Sequence, residues 1–240
     1  MYFWSPKSDK PVLFYGVVDE ENVRRVRWRE GDSTYTKTII EAPRGRLYSI
    51  TREDDCVHTS WTVEHLCKSA EDAEKIFSLP YEPWRPEVDS FFALDKKLGG
   101  SGIPLGDIAD ALCLTVELFG LARFLKIYMK RRSLIFDLMD LFQERIRNYL
   151  RPLLKLGAVT LYRIIRPEYA TPPFLSPRDF DRLVLPYDAE LVELLHSYGG
   201  MARLHSHGKV KQVLPSFREM RVDAGPFRAS PGWGCRAARS

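Results

Sequence analysis

A largely apolar, β-branched run from Ala158 to Ile165 empties into Arg166-Pro-Glu-Tyr-Ala-Thr-Pro-Pro173, and this junction constrains the fold more than any other part of the chain. Proline fixes φ at three positions of that loop and removes its amide donors there, so regular structure cannot continue. Ser176-Pro177 then reads as a helix start, with serine as the cap and proline at the first helical position. The helix is expected to run to His196, with a break near Pro186, and Gly199-Gly200 ends it. Met201 to Leu204 follows as a short apolar strand that leads into His205-Ser-His207. Two strands joined by a helix of this length form a βαβ unit, whose strands run parallel with a right-handed crossover. The Ala158 to Ile165 strand is expected to be covered on both faces, as parallel strands are. The Arg166 to Pro173 loop and the two histidines then share one rim, at the carboxyl ends where α/β proteins build their sites.

The remainder of the chain is organised around that unit. Pro11 to Val18 reads as a strand, and Val23 to Trp28, Thr34 to Glu41 and Gly45 to Arg52 alternate as an antiparallel excursion turned at Gly31-Asp32. Helical character is expected from about Thr62, with Ala73 to Leu79 stopped by Pro80 and Val88 to Leu98 stopped by Gly99-Gly100. Asp107 to Phe119 reads as an apolar helix that Gly120 interrupts. Beyond Ser133, Leu138, Phe142, Ile146, Leu150 and Leu154 recur every fourth residue, the mark of one buried helical stripe. From Asp223 to Ser240 the chain is a Gly/Pro/Arg/Ala string without periodicity. The expected division is a strand-rich segment over 1–54, a β/α portion over 55–222 and an aperiodic tail over 223–240.

Charge and composition narrow the function classes. The net charge is +4, but four arginines against one aspartate after residue 220 supply +3 of it. The body is therefore nearly neutral, and no nucleic-acid partner is expected. No apolar stretch has the roughly 18 residues of a spanning helix, and Met1 to Lys10 lacks a signal-peptide core, so no membrane association and a cytoplasmic location are expected. Cys56, Cys67, Cys113 and Cys235 form no CxxC pair, which indicates neither a disulfide framework nor a thiolate zinc knuckle.

The candidate chemistry sits on the rim. Period two along a strand places His205 and His207 on the same side, where both imidazoles can bind one divalent metal if further ligands arrive from elsewhere. Glu168, in the preceding loop, is the best third ligand, leaving a coordination position open for thiol, water or carbonyl. A metal-free alternative uses His205, His207 and Glu168 as catalytic proton donors or partners of substrate carboxylates, since imidazole titrates near neutrality. A third alternative is a hydrogen-bonded histidine pair without chemistry. Tyr169 is a candidate wall of a substrate site, and Lys209 a candidate receiver of anionic substrate groups. No glycine-rich phosphate loop, HExxH or GxSxG occurs.

These blocks resemble the uroporphyrinogen decarboxylase superfamily, which also contains zinc-dependent methyltransferases acting on methylated corrinoids and thiols. The resemblance is carried by Glu168-Tyr-Ala-Thr-Pro-Pro-Phe-Leu-Ser-Pro177, by Phe180 to Tyr187, and by Gly199-Gly-Met-Ala-Arg-Leu-His-Ser-His-Gly208. It reaches more weakly through Trp61-Thr-Val-Glu-His-Leu and Pro80 to Pro86, spanning about Ala42 to Met220. The resemblance implies a TIM (β/α)8 barrel, here partial or incomplete, because about 30 residues after His207 cannot supply three more strand-helix units. A truncated or frameshifted member is the expectation. In the family's zinc methyltransferases a His-x-Cys pair stands where this chain has His205-Ser-His207, so His205 matches the histidine and His207 replaces the cysteine. The activity implied first is cofactor-free decarboxylation of pyrrole acetate side chains of a tetrapyrrole in porphyrin biosynthesis. The alternatives are zinc-dependent methyl transfer between a methylated corrinoid and a thiol, with His205, His207 and Glu168 holding the metal, and a non-catalytic fragment or binding protein. The family's arginine-rich loop and its aspartate near the pyrroles have no assignable counterpart here.

Overall fold

The computed structural model describes residues 2–158 and 160–225. Along them the strands are β1 (Tyr2–Trp4), β2 (Val12–Leu13), β3 (Gly16–Val17), β4 (Val23–Glu30), β5 (Ser33–Ala42), β6 (Gly45–Asp54), β7 (Val57–Glu64), β8 (Glu82–Pro83), β9 (Pro104–Ala109), β10 (Leu161–Ile165) and β11 (Met201–His205). The helices are α1 (Ala73–Phe77), α2 (Asp89–Leu98), α3 (Ala111–Phe119), α4 (Leu121–Lys130), α5 (Arg132–Lys155), α6 (Pro177–Leu183), α7 (Leu185–Ser197) and α8 (Leu214–Glu219). The chain divides into two units: Met1–Lys7, Arg85–Cys113 and Ile146–Ser240 form the first, and Ser8–Trp84 with Leu114–Arg145 the second.

The first unit is built on a four-stranded parallel sheet in the order β1-β9-β10-β11. Its strands follow one another in space as they do in sequence, the arrangement that repeated right-handed crossovers produce. Registers align Gly106, Tyr162 and Ala202 in one row, and Ile108, Ile164 and Leu204 in the next. This face is buried. The opposite face carries Asp107, Arg163 and Arg203 in register, with Arg163 gripping the Asp107 carboxylate through Nε and Nη2 at 2.8 and 2.6 Å. The expectation of a strand covered on both faces therefore holds for one face only. The charged row of Asp107, Arg163 and Arg203 keeps the second face partly wet.

Short β1 was not anticipated, since three residues offer too little alternation to read. It is anchored by burial of Trp4, whose Nε1 donates to Ser90 Oγ at 3.0 Å and whose ring meets Phe91 edge-on. Ser176 caps α6 by accepting from the Asp179 amide, and the helical stretch breaks at Val184, just before Pro186. Leu138, Phe142, Ile146, Leu150 and Leu154 are all buried along α5, which starts at Arg132.

In the second unit β4, β5, β6 and β7 form an antiparallel meander, turned at Gly31-Asp32 as expected. Residues from Thr62 are strand, not helix, because Val57–Glu64 pairs along β6. Residue 54 thus falls between two paired strands of one sheet. Pro11 to Val18 is a hairpin of β2 and β3 instead of one strand. Asp107 to Phe119 likewise divides: Asp107 to Ala109 complete β9, and the helix begins only after Asp110. Uniform apolarity hid that junction, since a covered strand and a buried helix look alike in composition. The tail expected from Asp223 also begins with order. The amides of Asp223 and Ala224 donate to the Ala202 carbonyl at 2.9 and 3.2 Å, and Ala224 forms a parallel bridge with Arg203, so these residues lie beside β11. Residues 226–240 lie outside the described part.

A Cβ placed on Gly106 would meet the Tyr162 ring at 2.5 Å, so the tyrosine lies flat on a glycine across the sheet. We expect Gly106→Ala to cost about 1–3 kcal/mol by overpacking, measured by urea unfolding. Tyr162→Phe, which removes only the 2.6 Å bond to the Ala158 carbonyl, is expected to cost about 0.5–1.5 kcal/mol.

Candidate functional site

Register brings the chemistry together. Ala109, Ile165 and His205 stand opposite one another at the ends of β9, β10 and β11, so the residues that follow, Asp110, Arg166 and Ser206, leave the sheet along one rim. Arg166 has a φ of 73°, a left-handed turn that redirects the chain into Pro167–Ala170. The two loops are then tied to each other. Thr171 Oγ1 donates to the Glu168 carbonyl at 2.8 Å and to the His207 carbonyl at 3.2 Å, and the Lys209 amide donates to the Pro172 carbonyl at 3.2 Å.

His205 and His207 converge. Their Nε2 atoms are 3.0 Å apart and the rings meet edge to face. One ring must donate and the other accept, so the pair holds a single proton between the two nitrogens. Burial pushes the His205 pKa down, with His207, Arg163 and Arg203 acting in the same direction and Asp107 against it. Its Nδ1 is buried without a hydrogen-bond partner.

Glu168 faces the same group. Burial raises its carboxyl above the ordinary range, opposed by its own backbone amide and by His207 and Arg166. Its Oε2 is buried and unbonded. Tyr169 turns outward to accept from Arg166 Nη1 at 2.7 Å, and Lys209 is tied to the site through its backbone. His205, His207 and Glu168 are thus brought to one rim. Among the described residues, however, no three His, Cys, Asp or Glu side chains assemble into a set that could hold a metal ion.

Two carboxyls escaped the sequence reading, Asp110 and Asp188, fully buried at 0% and 1% exposure. Asp110 uses Oδ1 to accept the Cys113 amide in the first turn of α3, while its Oδ2 is unbonded. Both oxygens of Asp188 are unbonded. Burial drives the Asp110 pKa up; the Cys113 amide resists and Glu168 adds to the rise. Asp188 is pushed well up by burial and by the charge of Asp110. Burial thus favours the protonated form of both carboxyls, and the charge of Asp110 favours it further at Asp188, so protons are held above the ordinary aspartate range. One signal for Asp188 was present: it shares the buried face of its own helix with Leu191, Val192 and Leu195. Asp110 was hidden by the misplaced start of α3.

Residues 105–227 match the model of a protein family described as "Uroporphyrinogen decarboxylase (URO-D)". A comparison with curated proteins gave no match. Among solved structures the chain is similar to a methyltransferase from Methanosarcina mazei, with a TM-score of 0.53 and 17% identity over 70% of this chain. The chain spans 49% of that protein's length. At this identity the likeness is one of fold, an α/β architecture with a parallel sheet. Among the described residues no helix is long and apolar enough to cross a membrane.

A group whose folded pKa lies above its unfolded value stabilises below the unfolded pKa, and that contribution is lost as pH rises through the folded pKa. Both aspartates are of this kind, so stability is expected to fall between the ordinary aspartate range and neutrality or above. Asp188→Asn removes the conflict without changing shape. It is expected to raise the thermal midpoint at pH 8 by about 2–4 °C for each ~1 kcal/mol relieved, with no gain at pH 4. Calorimetry across that range checks the sign.

Proposed function

Because the chain belongs to the uroporphyrinogen decarboxylase family, we propose that its parallel sheet is a consecutive arc of a (β/α)8 barrel and that its chemistry is cofactor-free decarboxylation of pyrrole acetate side chains. Three features support the arc. The strands run in sequential order, their buried face is apolar, and Ala224 begins to extend the sheet past β11. The Asp107, Arg163 and Arg203 row would then line the inward face of the barrel.

The observation that carries the decarboxylase reading is the carboxyl cluster, Asp110 with Asp188 and Glu168, beside the histidine pair. In the net reaction the side-chain carboxylate leaves as CO2 and a proton takes its place on the methylene carbon. The electrons of the breaking bond need a sink, which protonation of the pyrrole ring provides. A carboxyl kept protonated near neutral pH is a suitable donor for that step. Arg203 and Lys209 are suited to attract the substrate's other carboxylates, and the His205/His207 pair can relay one proton to the product carbon.

The test is anaerobic incubation of the purified chain with uroporphyrinogen, counting carboxylates lost from the product, alongside absorbance titration of tetrapyrrole binding. Saturable binding and stepwise loss of carboxylates are expected. Asp110→Asn is expected to slow the reaction by about 10²–10⁴-fold while leaving binding in place. A chain that neither binds nor converts the tetrapyrrole contradicts the reading.

A second reading is favoured by one distance. Two nitrogens bound at about 2.0–2.1 Å to a tetrahedral zinc lie roughly 3.3 Å apart, close to the 3.0 Å between the two histidine Nε2 atoms. Zinc-assisted methyl transfer from a methylated corrinoid to a thiol would use His205 and His207, with Glu168 as third ligand. Among the described residues the two nitrogens converge, but no set of three His, Cys, Asp or Glu side chains completes a metal site. Metal analysis separates the readings: stoichiometric zinc that disappears in His205→Ala supports methyl transfer, and metal-free protein sinks it.

A further inference from the structure

The second unit buries an arginine for which the described residues provide no anion. Arg145, on α5, is 4% exposed, and its Nε has no hydrogen-bond acceptor. Its sequence neighbour Glu144 is exposed and acts on it only at a distance. Its guanidinium carbon lies over the face of the Tyr81 ring, 4.6 Å from the centroid. A buried cation without an ionic hydrogen bond is costly, and a cation–π contact does not replace the bidentate pairing a guanidinium is shaped for.

The surroundings are aromatic and strained. The Tyr81 ring lies against Gly16, where an added Cβ would meet it at 2.8 Å. Gly16 ends a two-residue hairpin turn formed by Phe14 and Tyr15, both with positive φ, 49° and 60°. That conformation is normally filled by asparagine and glycine. Two aromatic residues hold it here because Phe14 packs on Phe142, with ring centroids 5.0 Å apart, and the Trp84 amide donates to the Tyr15 carbonyl at 3.1 Å. Phe142 lies one helical turn before Arg145, on the same side of α5. Strained backbone of this kind concentrates where ligands are held.

We propose that Arg145 anchors a binding site for a small monoanionic carboxylate carried on a flat aromatic group. One guanidinium supplies one positive charge, which neutralises a carboxylate and would leave a phosphate dianion with buried excess charge. The planar fork meets both carboxylate oxygens, and the neighbouring rings of Tyr81, Phe14 and Phe142 favour a flat apolar body over a hydrated one.

The test is calorimetric titration of the full chain with benzoate, with acetate and inorganic phosphate as comparison ligands. Benzoate is expected to bind saturably, one per chain, and at least about tenfold more tightly than either comparison ligand. Loss of a charge-assisted pair predicts at least about tenfold weaker benzoate binding in Arg145→Met. Without ligand, that variant is expected to unfold at or above the wild-type temperature, because an unanswered charge has been removed. Arg145→Lys is expected to keep the preference for benzoate at reduced affinity. No binding by the wild type, equal binding by Arg145→Met, phosphate binding as tight as benzoate, or an Arg145→Met chain that fails to fold would each overturn the site.

Discussion

In-register parallel pairing of β9, β10 and β11 is the constraint from which the candidate site follows. Because Ala109, Ile165 and His205 end their strands in one row, the next residues leave the sheet side by side, and loops from distant parts of the chain meet without further adjustment. Thr171, bonded to both the Glu168 and His207 carbonyls, sets the spacing between two of those loops. A slip of one residue in any strand would turn its side chains to the other face and send the histidine pair away from Glu168.

The rim then separates two electrostatic environments. The open face holds an ordinary ion pair, Arg163 with Asp107, which water can still reach. Just past β9 and on α7, by contrast, Asp110 and Asp188 are sealed with three of their four oxygens unbonded. A fold selected only for stability would replace such a pair with amides or apolar side chains of similar size. Retaining it is understandable where a proton has to be stored near neutrality, and that need is shared by the family chemistry proposed above.

Much of the first unit was legible from local chemistry. The Pro-rich loop, the Ser176 cap, the break before Pro186 and the strand into His205 each have a mechanism that acts over a few residues, and all four are found. The buried stripe from Leu138 to Leu154 is equally local. What escaped depends on distant partners: β1 is a strand because β9 accepts it, Val57–Glu64 because β6 does, and Asp223-Ala224 because β11 has a free edge. Asp110 was lost with the boundary of α3, and Asp188 is informative only once the depth of α7 is known. Composition alone could not distinguish a covered strand from a buried helix at Asp107 to Ala109.

The protonation state of the two buried aspartates can be read directly. Carbon-13 NMR of aspartate-labelled protein, titrated through neutral pH and assigned with Asp110→Asn and Asp188→Asn, reads each carboxyl separately. The pair is expected still to hold a proton at pH 7, and either substitution is expected to simplify the titration of the partner. Two carboxyls that both ionise in the ordinary aspartate range would contradict this expectation.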